Sequence, residues 1–263
     1  MEYKAVKCPT CGSLSIVETK KETIEGNIYY YYKCNSCLDE FNTKKISNKK
    51  ISNEENELSA KNIFKKNIDN IIEIKSYKNN IIKSGTGILL GDGYILTNKH
   101  VICDYKENND LINLCLCDYY KGEGKSTGTV KLEFVYADKV KDIALMKCEN
   151  LSSCIKFAQN KVETGDQVYA IGNSRGYGLC IVDGLVSDCE RVVEGVNYIM
   201  VSAPTTNGNS GGPLLNSKGE LIGMITAGDS TVQTMNYAIP LSDIIAFLKK
   251  FETLEGIKIF NER

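Results

Sequence analysis

A chain of 263 residues, 42% hydrophobic and 25% charged, has the composition of a soluble globular protein, with room for one large domain or a smaller one plus an appendage. Its formal net charge of −1 gives no global reason to expect nucleic acid or an anionic membrane as a partner. No stretch approaches the length of a membrane-spanning helix, and residues 1–8 hold no apolar run fit for a secretory signal. The expectation is a cytoplasmic protein that does not engage a membrane.

The first 45 residues carry Cys8-Pro9-Thr10-Cys11 and Cys34-Asn35-Ser36-Cys37, separated by a β-prone stretch at Ile28-Tyr29-Tyr30-Tyr31-Tyr32. Two Cys-x-x-Cys knuckles at this spacing resemble a zinc ribbon, in which Cys8, Cys11, Cys34 and Cys37 surround one structural Zn2+ tetrahedrally. So small an element buries too little apolar surface to fold alone, so metal binding would supply most of its folding free energy. A redox pair or two disulfides are the competing readings of the same spacing. The seven other cysteines are an odd number scattered through apolar runs, a poor disulfide framework that suits a reducing compartment. Each reads as a small apolar core residue.

Residues 44–56 are a polar, lysine- and asparagine-rich tract that reads as a linker. Apolar residues at 60, 63, 64 and 68 then recur with the period of a helix. From about residue 71 to 240 the chain is a succession of short apolar runs broken by turn formers, such as Gly91-Asp92-Gly93 and Gly122-Glu123-Gly124. That rhythm predicts an all-β barrel or sandwich. Apolar residues at 241, 244, 245, 248 and 251 predict a closing amphipathic helix.

Within the β region, Thr206-Asn207-Gly208-Asn209-Ser210-Gly211-Gly212-Pro213-Leu214 sets a serine among glycines that permit a tight turn. Such a turn can aim the Gly208 and Ser210 amides at one point, where the oxygen of a tetrahedral intermediate would sit. Taken alone it could equally be a surface loop of turn formers. Upstream lie the chain's single histidine, His100, and Asp142 at the head of the apolar run Asp142-Ile143-Ala144-Leu145-Met146. The order His, Asp, Ser is that of the chymotrypsin-like proteases. Six collinear segments resemble the trypsin-like proteases of the HtrA type: Ser84-Gly85-Thr86-Gly87-Ile88-Leu89, Leu96-Thr97-Asn98-Lys99-His100-Val101, Asp142-Ile143-Ala144-Leu145, Gly165-Asp166-Gln167-Val168-Tyr169-Ala170-Ile171-Gly172-Asn173, Gly208-Asn209-Ser210-Gly211-Gly212-Pro213-Leu214 and Tyr237-Ala238-Ile239-Pro240.

The resemblance implies a double six-stranded β-barrel with a C-terminal helix, and a cleft between barrels where Ser210 is the nucleophile, His100 the base and Asp142 its orienting partner. The expected domains are a zinc ribbon at 1–45, a linker and helix at 46–65, and a trypsin-like protease domain at 66–263. It further implies a specificity pocket containing Thr205, Thr226, Ala227, Gly228 and Asn236. No acid or base lies in those segments, so an uncharged side chain should precede the scissile bond, with Asp229 just beyond. Asn209 stands where activation by a freed N-terminal amine needs an aspartate, so control should lie elsewhere, in the loops at 173–179 and 192–198 or in the ribbon. Too few residues follow the last helix for the PDZ domain that many HtrA-type proteases carry. The substrate would be a protein, with a regulatory protein partner on the ribbon and nucleic acid as its second candidate ligand, given Lys4, Lys7, Lys20, Lys21 and Lys33. The alternative reading is a zinc-ribbon binding scaffold with an inactive protease-like domain.

Overall fold

The computed structural model describes residues 16–24, 27–38, 40–45, 57–78, 81–104, 110–111, 114–121, 125–138, 140–228 and 234–259. They belong to two compact units divided between residues 55 and 56. In the first unit, β1 (Ile16–Ile24), β2 (Asn27–Cys34) and β3 (Glu40–Lys45) form an antiparallel sheet in that order. The tyrosine run forms most of β2, as expected of aromatic residues on a pleated surface.

The second unit opens with α1 (Ala60–Asn67), capped by the Ser59 side chain accepting from the Asn62 amide. Then come β4 (Ile71–Lys78), β5 (Ile81–Gly91), β6 (Tyr94–Thr97) and the single-turn α2 (Lys99–Ile102). A short ribbon of β7 (Cys103–Asp104) and β8 (Asp110–Leu111) leads into β9 (Leu114–Lys121), β10 (Lys125–Ala137) and β11 (Ala144–Lys147). The chain continues through β12 (Gln167–Asn173), β13 (Leu179–Val193), β14 (Val196–Val201), β15 (Pro213–Asn216), β16 (Leu221–Gly228) and β17 (Asn236–Pro240). It ends in α3 (Leu241–Glu255), terminated by Gly256 in the left-handed conformation.

The strands close into two six-stranded antiparallel barrels, one ordered β10–β11–β6–β5–β4–β9 and the other β12–β13–β14–β17–β16–β15. This is the expected architecture. The near-continuous apolar runs have a simple cause, because successive side chains on a strand point to opposite faces and here both faces are covered. Ile72 and Ile74 of β4 fill the first barrel while Ile71 enters a separate cluster shared with the second. Ala144 and Met146 of β11 divide from Leu145 in the same way, as Leu214 does from Leu215 in β15. Cys117 and Cys148 lie in the first barrel's core, in the small-apolar role.

Two helices seal the shared cluster. On α3 the buried stripe is Ile244, Phe247, Leu248 and Phe251. Phe247 is buried beyond the predicted set and stacks on Tyr136 at 5.3 Å, while Ile245 lies only partly covered. On α1, Ile63 is fully buried in that cluster. Asn67 donates to Gly219 O at 3.2 Å and Lys66 to Lys218 O at 2.8 Å. The helix grouped with the linker at 46–65 is therefore packed on the β15–β16 turn as part of the barrel unit.

Candidate active site

α2 follows directly from β6, so the barrel rim fixes the backbone that carries His100. Asp142 stands just before β11, which pairs with β6, and the two side chains meet through that pairing. Asp142 Oδ2 lies 2.6 Å from His100 Nδ1, and Oδ1 accepts the His100 backbone amide at 2.9 Å. Thr226 of β16, in the other barrel, donates its hydroxyl to Oδ2 at 2.7 Å. Burial pushes the Asp142 carboxyl up, but the hydrogen bonds and charge of His100 and the Thr226 hydroxyl outweigh it and hold the group below the ordinary aspartate value. A carboxylate kept ionised there places the neutral ring's proton on Nδ1 and leaves a lone pair on Nε2.

Ser210 lies on the loop between β14 and β15, and its backbone carries the more unusual feature. Gly208 has φ +99°, and a Cβ there would lie 2.0 Å from Asn173 O. Gly211 has φ +84°, with Thr86 O at 2.1 Å from the same construction. Only glycine fits either place. Of the five successive amides, Asn209 N donates to Thr206 O, Gly211 N to Ile225 O and Gly212 N to Asn209 O. The amides of Gly208 and Ser210 donate to nothing among the described residues. The turn thus presents two unpaired backbone donors in the hollow that His100 also lines, an arrangement an anion would satisfy.

Carbonyls on the same loop are held from outside. Arg175 N donates to Asn207 O at 2.7 Å, and Thr86 Oγ1 donates to Gly208 O at 2.7 Å. Thr86 N also donates to Ser210 O at 2.9 Å, so one residue of β5 ties the first barrel to the serine loop. Asn209 is buried and accepts the Ser174 hydroxyl at 2.7 Å. The Ser210 hydroxyl itself donates to Thr226 O at 3.2 Å, and His100 lines the same cleft.

The cleft on one side of Ser210 encloses about 650 Å3. Thr205, Thr226, Gly228 and Asn236, expected there from the sequence, line it. Thr205 donates to Asn236 Oδ1 at 2.7 Å, and Asn236 Nδ2 to Ala203 O at 2.9 Å, giving the pocket a polar floor. Ala227 lies in β16 opposite Tyr237, and Asp229 is outside the described residues. Arg175, Ser174 and Val182 line the same cleft and were not anticipated as pocket residues, because they arrive from β13 and the turn before it.

Of the four N-terminal cysteines, Cys8 and Cys11 lie outside the described residues. Cys34 is buried, and its sulfur accepts the Ser36 amide at 3.4 Å. Leu38 N closes the turn onto Cys34 O at 2.9 Å, with Leu38 at φ 61°. An amide hydrogen bond to sulfur favours thiolate over thiol, the form a metal requires, so this knuckle fits a zinc ligand.

The chain belongs to the family of trypsin-like peptidase domains, whose model matches residues 85–224, more than half of its length. It is 32% identical to the serine endoprotease DegS of Haemophilus influenzae over 179 residues, 63% of this chain and 49% of DegS. It is 36% identical to the periplasmic pH-dependent serine endoprotease DegQ of Escherichia coli over 152 residues, 54% of this chain and 31% of DegQ. The crystal structure of the serine endoprotease from Yersinia pestis matches at a TM-score of 0.63 and 27% identity, covering 74% of this chain and 66% of that one. These relatives support the HtrA-type resemblance of the motifs. The chain spans half or less of the curated relatives' length.

Proposed function

We propose that this chain is a serine endopeptidase that cleaves protein substrates through an acyl-enzyme. The observation that supports it most is the convergence of a hydrogen-bonded His100–Asp142 pair with two unpaired amides on the Ser210 turn. Ser210 Oγ attacks the scissile carbonyl as His100 Nε2 takes its proton. The Gly208 and Ser210 amides hold the oxyanion, each worth about 2.7–4 kcal/mol in the transition state. His100 then returns the proton to the leaving amine, and water releases the acyl group by the reverse sequence. A fluorophosphonate should label Ser210 and fail to label the His100→Ala protein. Well-folded wild type that stays unlabelled, with its partners present, favours the scaffold reading instead.

The ribbon extends this proposal. One structural Zn2+ held by Cys8, Cys11, Cys34 and Cys37 gives the N-terminal sheet its folding free energy, supported by the fit of the Cys34 knuckle to a thiolate. Elemental analysis of reduced protein should find one zinc per chain, and chelation should melt the ribbon without melting the barrels. The ribbon's role is recruitment of a protein substrate or regulator by raising its local concentration. Nucleic acid is less favoured, because Lys33 of the basic set is paired with Glu40 at 3.3 Å. Deleting residues 1–50 should spare hydrolysis of a short peptide and impair cleavage of the physiological protein. A cytoplasmic setting is part of the proposal, supported by the odd, scattered set of cysteines outside the ribbon, a poor disulfide framework. Fractionation of the native host checks this, and recovery outside the cytoplasm would refute it.

A further inference from the structure

The cleft does not end at Ser210. On the side away from Asn236 it opens into a second hollow of about 640 Å3, where Ile82, Lys83 and Ser84 of β5 face Arg175, Asn207 and Gly208. His100, Arg175, Thr206, Asn207 and Ser210 border both hollows, while Lys83 lines only the second, so the leaving-group side is the one that carries both cations. With the oxyanion fixed by Gly208 and Ser210, the acyl part of a bound peptide occupies the Asn236 side and the leaving part runs along β5. We infer, building on the peptidase reading above, that Lys83 and Arg175 form a subsite for an acidic side chain at the first or second residue after the scissile bond.

Among the described residues the charges in this hollow are uncompensated. Lys83 Nζ donates to Cys103 O at 2.9 Å, a neutral partner that positions the ammonium without cancelling it. Arg175 has no carboxylate within ion-pair distance among the described residues, and no carboxylate appears among the lining residues of either hollow. Elsewhere in the same unit Lys75, Lys141 and Lys156 each hold a carboxylate at 2.7 Å. A cleft lined by one sign of charge concentrates the field at its mouth and selects ligands of the opposite sign.

The backbone at Arg175 adds an independent observation. It sits at φ 55°, ψ 18°, in the left-handed region, immediately before Gly176 at φ 76°. A glycine there would hold the same turn, and its amide would reach Asn207 O as well, at less steric cost. What arginine adds is a guanidinium on a residue that lines the hollow, a planar fork suited to a carboxylate.

The same carboxylate chemistry is offered by an Asp or Glu side chain and by the free C-terminus of a short peptide. The full-length protein should be given a proteome-derived peptide library, half of it C-terminally amidated, and the new N-termini of the products read by mass spectrometry. Asp and Glu at the first or second product residue should be enriched about three- to tenfold over the library. Lys83→Glu and Arg175→Glu should each abolish that enrichment, while Arg175→Lys keeps most of it. Cuts confined to the last two bonds of the non-amidated half would assign the subsite to a terminal carboxylate and overturn the side-chain assignment. Fluorophosphonate labelling of Ser210 runs alongside. A labelled serine without acidic enrichment overturns the subsite and leaves the peptidase reading standing. An unlabelled serine with an uncut library overturns both.

Discussion

The two barrels hold their parts of the site in opposite ways. In the first, Asp142 accepts from the His100 ring and backbone, and its Oδ2 also takes the Thr226 hydroxyl, so the acid–base pair is locked by bonds to its own carboxylate. In the second, the Ser210 turn keeps two amides unpaired and two glycines at positive φ. Such a turn is unfavourable in isolation and persists because its surroundings over-determine it. The supports come from elsewhere: Thr86 of the first barrel clamps Gly208 O and Ser210 O, and Arg175 N clamps Asn207 O. Each half thus leans on the other barrel, the His100–Asp142 pair through the single Thr226 hydroxyl and the Ser210 turn through both the hydroxyl and the amide of Thr86.

The sharpest way to break this contrast is Asp142→Asn. The amide can no longer hold the reactive tautomer of His100, and kcat should fall by about 10⁴ with the fold retained. Turnover of a peptide substrate and a thermal melt together check it.

In the second barrel, Gly208→Ala puts a methyl where Asn173 O stands and forces the peptide out of its positive-φ conformation. A loss of about 10²–10³ in kcat is expected, the cost of one oxyanion donor. Unlike Asp142→Asn, it should also lower the melting temperature.

Thr86→Val tests the clamp between barrels. It removes the hydroxyl that donates to Gly208 O and accepts from Asn173 N, both buried. Leaving such groups unpaired costs about 1–3 kcal/mol. Activity should drop roughly tenfold, in kcat rather than KM, with Thr86→Ser restoring it.

The smallest effect concerns Glu73, buried beside Thr86 and Asp118 in the first barrel. Burial raises its pKa, the Asp118 charge raises it further, and Lys75 opposes both. A raised folded-state pKa means that native stability is full below the ordinary glutamate range and declines as pH rises through the shifted value. Glu73→Gln should therefore raise the melting temperature by a few degrees at neutral pH, and the gain should vanish as the pH is lowered toward 4. Equal melting of both proteins at every pH would show that the first barrel tolerates this charge without cost.

Much of this protein was legible in its sequence because the decisive features are local. Glycines flanking a serine, a histidine beside a β-run and an aspartate heading another each announce a conformation or a chemistry within a few residues. The barrel rhythm is legible for the same reason, since strand length and turn formers are local properties. The α3 stripe was read with Ile245 inside, yet Phe247 is buried, because Tyr136 of β10 offers its ring a stacking partner that no helical period reveals. Only the tertiary structure decided the rest. Thr86 and Gly208 are 122 residues apart in the chain, and nothing near either announces their bond. Arg175 lines the cleft on a left-handed turn whose amide bonds Asn207 O, 32 residues further along the chain. Local chemistry determined which groups this chain carries. Long-range packing decided which of them share a cleft, because contacts that close over a hundred residues of chain are set by the fold as a whole.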